Sequence, residues 1–342
     1  EYSVFQLAES LRLYKNFTDA EKWYALAKEF KDPKYVLATF WYAESLRANQ
    51  KFEEAVTAFN EFASKYKLND AYATKTKSEI ASCQFALFEL RYPRLFKLTK
   101  LQNDINQKGS NYTPVIKDSK FYFTSSRPVG DAGKKEILTD QNNAKVSKKE
   151  TPYLNAVYET PGNPLTGGIT IQKVALNSLN KEAPAPAFHP NGKAIYITSW
   201  TAQGDKKIYQ LTSSDKGWSD PVELGNQVNV KGFNAIQPFV TKDGKYLIFS
   251  SNRPGGQGKY DLWYCPLRTD GSLGQAINLG NKVNSPEDDQ APYYNAQTNK
   301  LLFSSNGRIG MGGFDFYESE GDFTNWSEPR NVGYPFNSSK DD

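Results

Sequence analysis

One pattern written four times governs what this chain can fold into. From a proline to the serine that ends the next apolar run, the spacing is 13 residues in three copies: Pro186 to Ser199, Pro238 to Ser251 and Pro292 to Ser305. It is 11 in the first copy, Pro114 to Ser125, where the turn at Asp118-Ser119-Lys120 is shorter. A closing segment recurs as Leu101 to Asn106, Leu176 to Asn180, Leu224 to Asn229, Leu279 to Asn284 and Val332 to Asn337. The Asn-to-Asn steps are 55 (229 to 284) and 53 (284 to 337). A repeat of this length with short apolar runs and turn residues between them means one supersecondary unit per copy, and such units bury their faces only against one another.

Each copy holds about four short strands, which is one β-propeller blade. Composition agrees: 21 Tyr, 21 Phe, 24 Gly and 18 Pro favour pleated segments joined by tight turns. Residues 93–342 are therefore expected to form a propeller, with Trp218 and Trp326 anchoring the last strands of their blades. The final residues Asn337-Ser338-Ser339-Lys340-Asp341-Asp342 repeat Asn284-Ser285-Pro286-Glu287-Asp288-Asp289, so a blade beyond the four complete ones is expected. Ser-Ser-Asn-Arg-Pro-Gly-Gly at 250–256, followed by Tyr260-Asp261-Leu262-Trp263-Tyr264, resembles the PD40 or TolB-type WD40-like propeller.

One copy departs from the rest. Arg127 to Tyr153 spans 26 residues where Arg253 to Tyr260 spans seven. The extra stretch carries Lys134, Lys135, Lys145, Lys148 and Lys149, and reads as a solvated loop, with a partner-docking arm as the alternative.

Residues 1–92 follow another period. Ala8, Leu11, Phe17, Ala20, Tyr24 and Ala27, then Pro33, return about 35 residues later as Ala43, Leu46, Phe52, Ala55, Phe59 and Phe62. Small residues at helical intervals let two helices approach, and aromatics fill the gap. This arrangement resembles the tetratricopeptide repeat. Phe17-Thr18-Asp19-Ala20 and Phe52-Glu53-Glu54-Ala55 mark the starts of second helices, with acids at the positive end. A long helix over Ala71 to Arg91 is expected to close the array. Trp23, Tyr24, Trp41 and Tyr42 either pack between repeats, the favoured reading, or contact a peptide in the concave groove.

No chemistry is legible. The single histidine, His189, precedes Pro190-Asn191-Gly192 and reads as part of a turn; one histidine founds neither a triad nor a zinc site. Cys83 and Cys265 stand alone, without a CxxC pattern. Neither a GxSxG elbow nor a GxxxxGK[ST] loop occurs, so the chain is read as non-catalytic, without cofactor or metal. Arg127, Arg253 and Arg308 occupy equivalent blade positions, as do Asp261 and Asp315. They read as a repeated tie between strand and loop, and alternatively as a ring of groups contacting a peptide or glycan.

A net charge of +4, from 42 basic against 38 acidic residues, is too small and too spread for a nucleic-acid surface. No run of about 20 apolar residues occurs, so membrane attachment is expected only through a signal or lipid-anchor segment removed upstream.

The order of helical repeats and then propeller resembles the periplasmic OmpA-family lipoproteins associated with type IX secretion, over nearly the whole chain. The resemblance implies a non-catalytic scaffold at the outer membrane that holds protein partners of a secretion machinery. Such proteins carry a C-terminal peptidoglycan-binding domain, so contact with peptidoglycan is implied only through a domain that residues 1–342 do not include. A glycan- or peptide-binding envelope sensor or capture module is the alternative.

Overall fold

The computed structural model describes residues 1–101, 103–106, 109–128, 136–139, 145–148, 153–162, 164–165, 170–176, 185–200 and 204–342. The chain is a helical array followed by a four-bladed β-propeller.

The array runs α1 (Tyr2–Leu13), α2 (Phe17–Ala27), α3 (Ala38–Ala48), α4 (Phe52–Lys65) and α5 (Ala71–Arg91), with a 3₁₀ turn at Pro33–Tyr35. Each helix packs on the next. The three-residue turns after α1 and α3 are copies of each other. Lys15 and Gln50 adopt positive φ, and Asn16 and Lys51 donate back to the carbonyls of Leu11 and Leu46 at 2.8 and 2.9 Å, satisfying helix-end acceptors. Asn16 caps α2 by accepting from Asp19 N at 3.3 Å, and Asp70 caps α5 by accepting from Tyr72 and Ala73 N. Ala20, Ala27, Ala38, Ala43 and Ala55 are fully buried, which allows the helices to close on one another, and Phe40, Phe59 and Phe62 fill the core between α3 and α4.

The first blade is β1 (Asn111–Lys117), β2 (Lys120–Pro128), β5 (Tyr153–Pro161) and β6 (Gln172–Lys173), and inside it β3 (Glu136–Thr139) pairs with β4 (Lys145–Lys148) as a hairpin. The second is β7 (Ala187–Phe188), β8 (Ala194–Trp200) and β9 (Lys206–Ser214), with β10 (Gly217–Trp218) and β11 (Val222–Glu223) both on β9. The third is β12 (Ala235–Val240), β13 (Tyr246–Ser251), β14 (Asp261–Pro266) and β15 (Ile277–Asn278). The fourth is β16 (Asp289–Asn295), β17 (Lys300–Ser305), β18 (Asp315–Glu320) and β19 (Arg330–Asn331). Adjacent strands within each blade are antiparallel.

The recurring prolines mark a bend. Thr113, Ala185, Gln237 and Ala291, each just before its proline, all have φ between 51° and 54°. In blades one, three and four the strand register shifts there. The bend turns backbone toward the preceding blade. Ala185 N and Gln237 N donate to the hydroxyls of Thr124 and Thr198, both at 3.0 Å, and Ala291 N donates to Gln237 Oε1 at 2.9 Å. Ser250, equivalent to Thr198, donates to Asp289 O at 3.2 Å, and Ser304 in the fourth blade donates to Asp342 O at 3.0 Å. The tail thus meets blade four as blade four meets blade three. The further blade expected from the sequence would follow residue 342 and lies outside the described residues.

The helical array seats on this fourth blade. Met311, from the loop between β17 and β18, is fully buried with Phe59, Phe62, Cys83 and Ala86, and Tyr334 packs on the same cluster. Gly310 N donates to Ser82 Oγ at 3.4 Å, and Ser339 Oγ and Lys340 Nζ donate to the carbonyl of Ala48, the last residue of α3. Wedged between α4 and the blade, α5 has no single apolar stripe: it buries Thr76, Glu79, Ser82 and Glu89 beside Cys83 and Ala86.

Two sequence expectations need correction. Trp218 lies on β10, a hairpin extension of β9, and Trp326 bridges to Gly321 outside any named strand, so neither is on a last strand. Trp326 instead packs with Tyr294 and Phe323 in a core shared by the third and fourth blades, and Trp218 packs against the core of the second. Of the insertion, Lys134, Lys135 and Lys149 lie outside the described residues, while Lys145 and Lys148 sit on β4.

Candidate functional site

Of the four helical aromatics one is buried and three are partly buried against the helical cores. Tyr24 is wholly buried; its hydroxyl donates to Glu9 and accepts from Arg12 Nε at 3.1 Å, and burial followed by the bond to Glu9 raises its pKa above the ordinary phenol range. Trp23 and Tyr42 are half-buried against the α1–α3 core, with Lys28 Nζ over the Tyr42 ring at 5.6 Å. Trp41 is different. Arg12 stacks over it at 3.8 Å, Lys75 approaches at 5.7 Å, and the Tyr72 ring meets it edge-on at 5.9 Å, so residues of α1 and α5 converge on one partly buried indole of α3.

Acids frame this indole. Arg12 pairs with Glu9 at 2.7 Å and Lys75 with Glu44 at 2.9 Å. The result is a strip of mixed charge across α1, α3 and α5 with Trp41 at its centre.

The repeated propeller groups sit inside the blades. Arg127 lies near the end of the second strand of its blade, Arg253 and Arg308 lie just past theirs, and each reaches the closing segment. Arg127 Nη2 donates to Ile105 O at 3.4 Å. Arg253 donates to Gln227 O at 2.8 Å and to Val228 O, and Arg308 Nη2 to Lys282 O and Val283 O at 2.9 and 2.7 Å. Each guanidinium also lies over an aromatic ring of the third strand: Tyr158 at 4.6 Å, Trp263 at 5.2 Å and Tyr317 at 6.0 Å. Burial lowers the Arg253 pKa to about 10.

The aspartates hold a different element. Asp261 accepts from Gln257 N at 2.5 Å, Gly258 N at 2.9 Å and Asn278 Nδ2 at 2.8 Å, so its carboxylate is the hub of the Gly-rich loop. The glycines are there because the loop wraps this group: a Cβ on Gly256 would stand 2.4 Å from Asp261 Oδ2, and one on Gly310 would stand 1.8 Å from Asp315 Oδ2. In blade four the hub is incomplete. Asp315 Oδ2 accepts from Gly312 N at 3.2 Å, but Asp315 Oδ1 and Asn331 Nδ2 are buried without a hydrogen-bond partner among the described residues. Burial accordingly pushes the Asp315 carboxyl up to about 7. Among the described residues no arginine is ion-paired with either aspartate, so arginine and aspartate are two separate devices.

The recurring asparagines of the closing segments stood in the sequence without an assigned role. Asn229 accepts from Ile208 N and donates to Ile208 O; Asn284 does the same with Leu262, and Asn337 with Phe316, all between 2.8 and 3.1 Å. One side-chain amide thereby replaces a missing strand partner for the third strand of its blade. Their recurrence at steps of 55 and 53 residues was the signal.

The remaining chemistry is sparse. His189 lies in the turn before Asn191, whose N–H donates to its Nδ1 at 3.2 Å. Burial raises both thiols, Cys83 and Cys265, to about 12. Among the described residues no group of three or more His, Cys, Asp or Glu is placed to hold a metal, and no helix is long and apolar enough to cross a membrane.

The chain is a helical array joined to propeller blades. No family model matches it, and no curated protein matches it. Among solved structures it is similar to TolB from Acinetobacter baumannii (TM-score 0.37, 17% identity, covering 66% of this chain and 44% of that one). It is also similar to the putative TolB from Agrobacterium tumefaciens (0.37, 16%, 67% and 80%) and to an α-L-arabinofuranosidase from Lactobacillus brevis (0.39, 13%, 64% and 70%). The chain spans less than half of the first of these, and no activity is carried over from any of them.

Proposed function

We propose that this chain is a non-catalytic scaffold of a type IX-like secretion machinery, in the periplasm at the outer membrane, that holds protein partners on its helical and propeller surfaces. The observation that carries the reading is the joint. Met311 and Tyr334 lock the array onto blade four, so two repeat-built surfaces keep a fixed mutual geometry, as a scaffold requires. The blade arginines and aspartates are spent on internal ties, which leaves the Trp41 strip as the better candidate contact on the array. The test is capture from solubilised envelopes by the intact protein and by Trp41→Ala. Recovery of outer-membrane secretion components that Trp41→Ala reduces would support the scaffold. Recovery of oligosaccharides or short peptides alone would favour the capture module and sink the scaffold.

A further inference from the structure

We infer that the segment leaving α5 is a docking surface for an extended acidic segment of a protein partner that carries a large apolar side chain. Residues 91–100 are all exposed and read Arg-Tyr-Pro-Arg-Leu-Phe-Lys-Leu-Thr-Lys. They combine four cations and no acid with four large apolar side chains, Tyr92, Leu95, Phe96 and Leu98. Leu95 is 100% exposed, Phe96 62% and Tyr92 58%, and Phe88 on the last turn of α5 stacks beside Tyr92 with ring centroids 5.0 Å apart. A run of exposed apolar groups of this size is unusual on a protein surface and marks an interaction site.

The shape and charge select the occupant. An open cleft of about 580 Å³ is lined by Phe88, Tyr92, Arg94, Leu95 and Phe96, with Glu89 at its base. The cleft is open to solvent and large enough to take a side chain. Glu89 does not repel an acidic guest at the surface, because it is buried and accepts from Tyr334 N at 3.0 Å. Among the described residues none of Arg91, Arg94, Lys97 and Lys100 has an ion-pair partner, whereas most other charges of the array are paired. Backbone groups from Lys97 to Lys100 make no backbone hydrogen bond among the described residues, so an extended guest can add to them as a strand does. Cations flanking an apolar cleft complement a chain of alternating acids and apolar residues.

This inference deepens the scaffold reading by giving one partner's chemistry, and its test is a direct titration that leaves envelope capture to be judged separately. A fluorescent peptide alternating Asp with Leu and Phe is titrated against the full chain, beside a matched peptide with Lys in place of Asp and vesicles of phosphatidylglycerol. The acidic peptide should bind, weaken with added salt, and lose roughly tenfold in affinity with Lys97→Glu/Lys100→Glu and with Leu95→Ser. These positions are exposed, so the variants should keep the parent's circular dichroism. Equal binding of both peptides, indifference to both variants, or binding to vesicles alone would overturn the inference.

Discussion

Tyr334 N donates to the carboxylate of Glu89 at 3.0 Å, linking blade four to the helical array across 245 positions of sequence. The carbonyl of the same Tyr334 accepts from Arg94 N at 2.9 Å, so α5 and the segment leaving it hold both backbone groups of one propeller residue. Glu89→Ala would leave a partly buried N–H without its carboxylate acceptor, at about 1–2 kcal/mol. Chemical denaturation should show a lower midpoint, with Glu89→Gln recovering part of the loss through its carbonyl. An unchanged midpoint in both variants would remove Glu89 from the joint.

Met311 should be the more sensitive half of that joint. Truncation to Ala leaves a hole among Phe59, Phe62 and Ala86 at roughly 2–5 kcal/mol. Because the side chain belongs to the blade and the cavity to the helices, the single unfolding transition should split, with helical signal lost before the propeller's near-UV signal. A transition that falls but stays single would mean the two parts are held elsewhere.

The asparagine staples predict a chemical asymmetry. Asn284→Asp keeps an acceptor for Leu262 N but removes the donor to Leu262 O and Asn278, and buries a charge in exchange. It should cost about 3 kcal/mol or more at neutral pH and recover on acidification. Thermal melts of Asn284→Asp at neutral and acidic pH decide it, and a pH-independent loss would refute it.

Asp315 predicts a pH response of the same sign for the parent chain. Its carboxyl titrates near 7 in the fold and near its ordinary value when unfolded, so the native state holds a proton that the unfolded chain releases between those points. The stabilising contribution is complete below the ordinary carboxylate range and is lost as pH rises through about 7. Asp315→Asn should flatten this part of the profile and be the more stable protein at pH 8, by on the order of 2–4 kcal/mol. A parallel pair of stability profiles would exclude the group.

How much was legible follows from where each signal sits. The blades were readable because Pro114, Pro186, Pro238 and Pro292 each follow a bend that every copy needs, and periodicity survives when a geometric requirement recurs. The helices were readable from Ala20, Ala43 and Ala55, since only small residues permit the close approach. Trp218 and Trp326 misled because an aromatic near a blade's edge fits a hairpin extension or a bridge as well as a final strand. The joint was not legible at all. Met311 belongs to no repeat, and Gly310 looks like every other loop glycine until a helix is seen across from it. Nor did the aromatic list separate Trp41 from Tyr24, because what differs is the Arg12 and Lys75 that lie over one of them.

The joint also orders events in time. A chain made from its N-terminus completes α3, α4 and α5 long before it reaches Met311 and Tyr334, so the array emerges with a vacancy in its core that only the fourth blade fills. Contacts of such sequence separation form late. The array is therefore completed only once the fourth blade has been made, and until then its apolar interior stands open to whatever chaperone or partner arrives first.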